Sequence, residues 1–244
     1  MKILRNATEA EVIAAFLRAE FYQQEFDRDR KDFEHLVEHP DLTNRVENSV
    51  RKALLFRRRG HMWRELPLDT KWYEVQLEST DLRRIRVFPR AQWRRFSNGT
   101  FQLDAVVDHI RRIPEDSRID PVVAKIRLLR YRLQREKIDT PVLFIGMDEN
   151  SPLTILEGNH RIAAAYLLDP DKVQETYRVL CGFSPHMNES CWYQTNAANL
   201  WRYLRNRVRN LYDREADLGA VIRSLEPAPT MSAAAGVATP MKTK

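Results

Sequence analysis

Cysteine is nearly missing from this chain: the 244 residues include two, Cys181 and Cys191, ten apart and without a CxxC pair. That excludes a disulfide framework and a thiolate zinc site, and leaves both as ordinary thiols, Cys181 within an expected strand. Glycine is scarce at seven, too few for the many tight turns of a small all-β architecture. No run reaches the roughly 18 to 20 apolar residues that a membrane span needs. The start, Met1-Lys2-Ile3-Leu4-Arg5-Asn6, leads into polar, helix-like sequence rather than a signal core. A cytoplasmic protein without a membrane partner is the expectation.

What is present is a helix-rich globular composition, 43% hydrophobic and 30% charged, long enough to bury a sizeable core. The net charge of +6 and pI near 9.4 suit phosphorylated or polyanionic partners. Arginine is concentrated over Arg83–Arg95 and Arg202–Arg209.

The first sixty residues read as helices. Thr8 and Glu11 resemble a capping box ahead of Val12, Ala15, Phe16 and Ala19. A second helix is expected from Asn44 to Arg58, ended by Gly60. Lys71–Leu77 alternates as a half-buried strand, and Ile85, Val87 and Phe88 form a second extended piece. Ser97-Asn98-Gly99 is a turn before a helix to Arg112, and a basic helix follows over Asp120–Arg135. Pro141–Gly146 and Leu153–Leu156 read as strand, loop, strand; an Ala-rich helix over Asn159–Leu168 stops at Asp169-Pro170, and Tyr177–Phe183 returns to β character. A final helix is expected over Thr195–Asp217, with Trp201, Leu204, Val208 and Leu211 as its core stripe. Residues 226–244, rich in Pro, Ala, Ser and Thr, read as a disordered tail.

The segment Leu153–Leu168 carries the chemistry. A strand that passes through Glu157-Gly158 into a helix leaves unpaired N–H groups at the helix start, where the dipole favours anions. Gly158 admits a phosphate close to the backbone, Arg161 offers a planar fork of donors, and His160 has a charge that changes near neutral pH. A carboxylate beside a phosphate is repulsive unless a cation or proton intervenes, so Glu157 implies either a magnesium ligand or a base for an attacking hydroxyl. The bland alternative has Glu157 and Asn159 capping the helix, His160 on the surface and Arg161 paired with a carboxylate.

Leu156-Glu157-Gly158-Asn159-His160-Arg161-Ile162-Ala163-Ala164-Ala165 resembles the nucleotide-binding signature of the ParB and sulfiredoxin superfamily. The resemblance implies an α+β fold, a small mixed sheet with surrounding helices, over about Trp72 to Phe183. Sulfiredoxins place a reactive cysteine where Asn159 stands, and partition proteins usually place a second arginine where His160 stands and a helix-turn-helix region downstream, where Tyr177–Phe183 instead reads as a strand. The signature is most similar to that of free-serine kinases. By that likeness Gly158, Asn159 and Arg161 cradle nucleotide phosphates, Glu157 and His160 face the transferred phosphoryl group, and ATP or CTP with Mg2+ serves a small hydroxyl-bearing acceptor. The additional catalytic glutamate of such kinases has no secure counterpart, with Glu74 and Glu78 as candidates.

The expected organisation is a helical N-terminal extension (1–65), a ParB/sulfiredoxin-like domain with a C-terminal helix (70–218) and the tail (226–244). Cys181–Tyr193 follows a strand with polar and aromatic residues; His186 and Trp192 are candidates for an acceptor pocket, against a plain surface connection. Phe88, Trp93 and Phe96 among arginines, and the Trp201–Arg209 helix, keep open a nucleic-acid-binding protein or nuclease. A nucleotide-gated interaction module is the third reading.

Overall fold

The computed structural model describes residues 1–114, 120–136, 140–212 and Arg223. It is an α+β fold in which the described residues form a six-stranded mixed sheet and ten α-helices. In chain order these are β1 (Lys2–Ala7), α1 (Glu9–Glu20), α2 (Asp27–Glu38), α3 (Arg45–Trp63), β2 (Lys71–Gln76), α4 (Ser79–Leu82), β3 (Ile85–Arg86) and α5 (Ala91–Phe96). There follow α6 (Leu103–Arg112), α7 (Pro121–Leu133), β4 (Val142–Gly146), β5 (Leu153–Glu157), α8 (Asn159–Leu168), α9 (Lys172–Thr176), β6 (Val179–Phe183) and α10 (Ala197–Tyr212).

The strands lie in the order β1-β2-β6-β4-β5-β3. β4 and β6 are parallel and β4 and β5 antiparallel. The first two of these are apolar throughout and buried at every position, as strands covered on both faces must be. β5 carries that burial up to Glu157, where the chain emerges at the sheet end.

The N-terminus departs from the expected all-helical start. Residues 2–7 form β1, an edge strand antiparallel to β2, exposed at five of its six positions. With neither face buried, no alternation marked it in the sequence. Thr8 caps α1 as expected, its hydroxyl accepting from the Glu11 N–H at 3.2 Å. The Glu11 carboxylate instead pairs with Arg5 and Arg178, fastening β1 to the sheet. α3 does not stop at Gly60 but runs on to Trp63; Gly60 is a close-approach position, where a Cβ would sit 2.1 Å from Asn210 Oδ1 on α10.

α1–α3 are built into the same hydrophobic core as the sheet. Phe16 meets Trp63 edge to face at 5.8 Å, and Trp63 stacks on Trp72 of β2 at 6.0 Å. This packing leaves Phe16 and Glu20 of α1 and Arg59 of α3 lining one cavity with Leu156 and Glu157 at the end of β5. α10 occupies the expected place, with 213–217 outside the described residues, as is the tail 226–244. Its orientation reverses expectation: Trp201, Leu204, Val208 and Leu211 are exposed, while Asn199 and Asn206 are buried. The hydrogen bonds from Asn199 Nδ2 to Asn188 and Gln194 carbonyls and from Asn206 Nδ2 to Glu65 Oε1 (2.7 Å) set that face inward.

Candidate functional site

Gly158 takes φ +102°, a left-handed conformation natural only to glycine. A Cβ there would lie 2.7 Å from Val142 Cγ1, so side-chain volume is excluded as well. The turn breaks β5 sharply and starts α8. The N–H groups of Asn159, His160 and Arg161 meet no acceptor among the described residues, as the first turn of a helix leaves them.

These residues line a cavity of about 420 Å³. α1 contributes Glu20, α3 Arg59, the segment before α5 Arg90, α5 Trp93, and α7 Lys125. The opposite wall is thus supplied by the N-terminal helices, which sequence reading placed outside the domain.

The polar groups divide into engaged and free ones. Asn159 is engaged, its Oδ1 accepting from Phe88 N–H at 2.7 Å, which ties the segment before α5 to the turn. Arg161 is engaged too: it donates to the carbonyls of Thr140 (2.5 Å) and Pro141 (3.0 Å) and to Glu157 Oε1 (3.0 Å). The guanidinium expected to grip phosphate ties the residues before β4 to the start of α8, and its pairing with Glu157 is the carboxylate contact of the bland alternative. The backbone N–H of Arg161 is left without an acceptor among the described residues.

His160 packs on Trp93 at a centroid distance of 5.1 Å. Burial, with the Lys125 charge nearby, pushes its pKa down to about 4. A neutral imidazole at physiological pH replaces the expected group titrating near neutrality, because desolvation disfavours the imidazolium. It can donate or accept one hydrogen bond, and carries no charge into the cavity.

The charges come from elsewhere. Arg90 forms no ion pair among the described residues; its guanidinium lies over the Phe88 ring at 4.9 Å. It is open to cavity solvent, yet enclosed enough that desolvation, followed by repulsion from Arg59, lowers its pKa. Lys125 is likewise without an ion pair among the described residues. Glu20 accepts from Arg59 at 2.9 Å through Oε2. Its pKa is raised, first by burial and then by the Glu157 carboxylate across the cavity. One oxygen of each carboxylate, Glu20 Oε1 and Glu157 Oε2, has no hydrogen-bond partner among the described residues.

Comparison with known proteins supplies no family. No protein-family model fits the chain, and no curated protein or solved structure matches it. The site's reading rests on its geometry.

The remaining candidates lie elsewhere. Glu74 pairs with Arg5 and Arg178, and Glu78 with the Met1 ammonium; neither lines the cavity. His186 is exposed and faces Glu189 at 3.4 Å. Trp192 is buried, stacked behind Phe88 at 4.7 Å, so it supports the cavity wall without lining it. Phe88, Trp93 and Phe96 are all buried, so these rings are not available to stack on bases.

Glu20, Arg59, Arg90 and Lys125 are the residues sequence reading missed. Arg90 lay within the arginine-rich stretch Arg83–Arg95, but nothing local tied it, or Glu20, Arg59 and Lys125, to the Gly158 turn. No group of three or more metal-ligating side chains occurs among the described residues. Magnesium does not require one, since it keeps several waters and commonly takes one or two carboxylates together with phosphate oxygens. The free oxygens of Glu20 and Glu157 suit that donor set.

Proposed function

We propose that the cavity binds a nucleoside triphosphate, ATP or CTP, and that the protein is a phosphotransferase acting on a small hydroxyl-bearing metabolite. The single observation that carries this is the coincidence of three unpaired N–H groups at the Gly158 turn with the unpaired cations Arg90 and Lys125 in one cavity. The ParB/sulfiredoxin-like signature around Gly158 supports the same assignment, with free-serine kinases the most similar pattern.

In this reading the N–H groups of Asn159, His160 and Arg161 hold phosphate oxygens, and Arg90 and Lys125 neutralise their charge. Glu157 would hold Mg2+ together with phosphate oxygens, and the ion would supply further neutralisation of the phosphates when bound. Glu20, with its raised pKa, accepts the acceptor hydroxyl's proton as that oxygen bonds to the terminal phosphorus and the bridging oxygen leaves with the nucleoside diphosphate. Neutral His160 positions a phosphoryl oxygen or the acceptor by one hydrogen bond.

The test is turnover of nucleotide with pooled hydroxyl metabolites, followed by mass spectrometry for phosphorylated products. Wild type should form product and Glu20→Gln should not, while both bind nucleotide. Nucleotide binding without any phosphorylated product would leave an interaction module, and absence of binding would remove the proposal.

A further inference from the structure

α10 is an amphipathic helix docked by its polar side. Its inner face is held by Asn199, Asn206 and an Arg202–Glu189 pair at 2.9 Å. Tyr203 joins them, edge to face on Trp192 at 5.0 Å. On the opposite side Leu200, Trp201, Leu204, Val208, Leu211 and Tyr212 form one continuous arc. All six are exposed, Trp201 at 71% and Tyr212 at 82%.

The flanks of that arc are cationic. Arg207 borders one edge, Arg205 and Arg209 the other, and the helix contains no acidic residue. Arg205 and Arg207 form no ion pair among the described residues. Beside the Arg205 edge runs a second groove, of about 920 Å³, between α10 and α3; Arg64 and Arg209 line it, as do the pairs Lys52–Glu9 and Arg202–Glu189. Leu68, on the groove's lip, is fully exposed.

We propose that this face docks on an anionic lipid surface, the apolar arc entering the headgroup boundary and Arg205 and Arg207 at its edges receiving lipid phosphates. Charge complementarity selects the occupant. A second copy packed arc to arc would set Arg205 and Arg207 against the same arginines, with no carboxylate on the helix to pair with them. The arc is a convex ridge with Trp201 and Tyr212 at its margin beside the arginines, the distribution of helices that lie in a membrane interface. No helix among the described residues is long and apolar enough to cross a membrane, and an interfacial helix requires none. This surface is separate from the cavity at Gly158.

Trp201 provides the readout, because Trp63, Trp72, Trp93 and Trp192 are all buried. The full chain is titrated with vesicles of phosphatidylglycerol and phosphatidylcholine, and with phosphatidylcholine alone. Trp201 emission should shift to the blue and become protected from acrylamide with the anionic vesicles only. Each arginine near such a surface is worth about fivefold in partitioning. Arg205→Gln with Arg207→Gln should therefore weaken binding roughly twenty-five-fold, and Leu204→Gln with Leu211→Gln should abolish the blue shift. These positions are exposed, and circular dichroism checks each variant's fold.

Equal partitioning onto neutral vesicles, or binding that survives both double variants, would overturn the proposal. So would a Trp201 already shielded without lipid: protection that rises with protein concentration assigns the arc to a second copy, and constant protection assigns it to the chain's own residues after 212. A shift caused by a soluble acidic amphipathic peptide and not by vesicles assigns it to a protein partner.

Discussion

Acid should destabilise this protein through His160, by an amount that follows from its position. The imidazole is packed on Trp93 with Lys125 nearby, and its pKa falls to about 4 in the folded state. In the unfolded chain it is near 6.5. Between those values the unfolded state binds a proton that the folded state refuses, so stability falls as pH falls through that window and is unaffected above it. The linkage relation gives about 2 kcal/mol at pH 5 relative to pH 7.5. Other carboxylates titrate in the same range, so the informative quantity is a difference between variants. His160→Phe keeps a ring against Trp93 and removes the titration. Urea unfolding at pH 7.5 and pH 5 should show wild type losing about 2 kcal/mol more than His160→Phe. Parallel losses in the two proteins would refute a neutral, desolvated His160, and an NMR titration of His160 with a midpoint near 6.5 would do the same.

Gly158→Ala combines a left-handed φ with a Cβ 2.7 Å from Val142 Cγ1, and should cost about 2 to 4 kcal/mol by urea unfolding. Arg90→Ala removes a cation that pairs with no carboxylate among the described residues; its stability should stay within about 0.5 kcal/mol of wild type, while nucleotide affinity, measured by calorimetry, falls about tenfold or more. Asn206→Ala leaves the buried Glu65 without its 2.7 Å donor and should cost about 1 to 3 kcal/mol, seen as a lowered melting temperature.

Much of the architecture was legible because period and punctuation agreed. Asn159–Leu168 begins after a glycine and ends before Asp169-Pro170, and α8 has those bounds. β4, β5 and β6 were visible as apolar runs for the same reason. β1 was not, since an edge strand exposed on both faces has no pattern to read. For α10 the periodicity located a stripe correctly, but a stripe does not say which side meets the protein; buried amide hydrogen bonds from Asn199 and Asn206 decided it.

The turn itself could be read locally, because Gly158's conformation and the free N–H groups follow from strand, glycine and helix in succession. What each side chain does could not. Arg161 meets two carbonyls some twenty residues earlier in the chain, and the free cations and the second carboxylate arrive from α1, the segment before α5, and α7. Such groups converge through tertiary packing: Phe16, Trp63 and Trp72 join α1 and α3 to the sheet, and the Phe88–Asn159 hydrogen bond holds the segment of Arg90 at the turn.

The most direct measurement is thermal unfolding of the full chain with ATP or CTP, each with and without magnesium, beside Arg90→Ala. At a ligand concentration a hundredfold above Kd, binding stabilises by about 2.7 kcal/mol. For a chain of this size that is roughly 5 to 10 °C. A phosphate site at Gly158 predicts such a rise for at least one triphosphate with wild type, largely lost in Arg90→Ala. No shift with either nucleotide, or an equal shift in the variant, would contradict it.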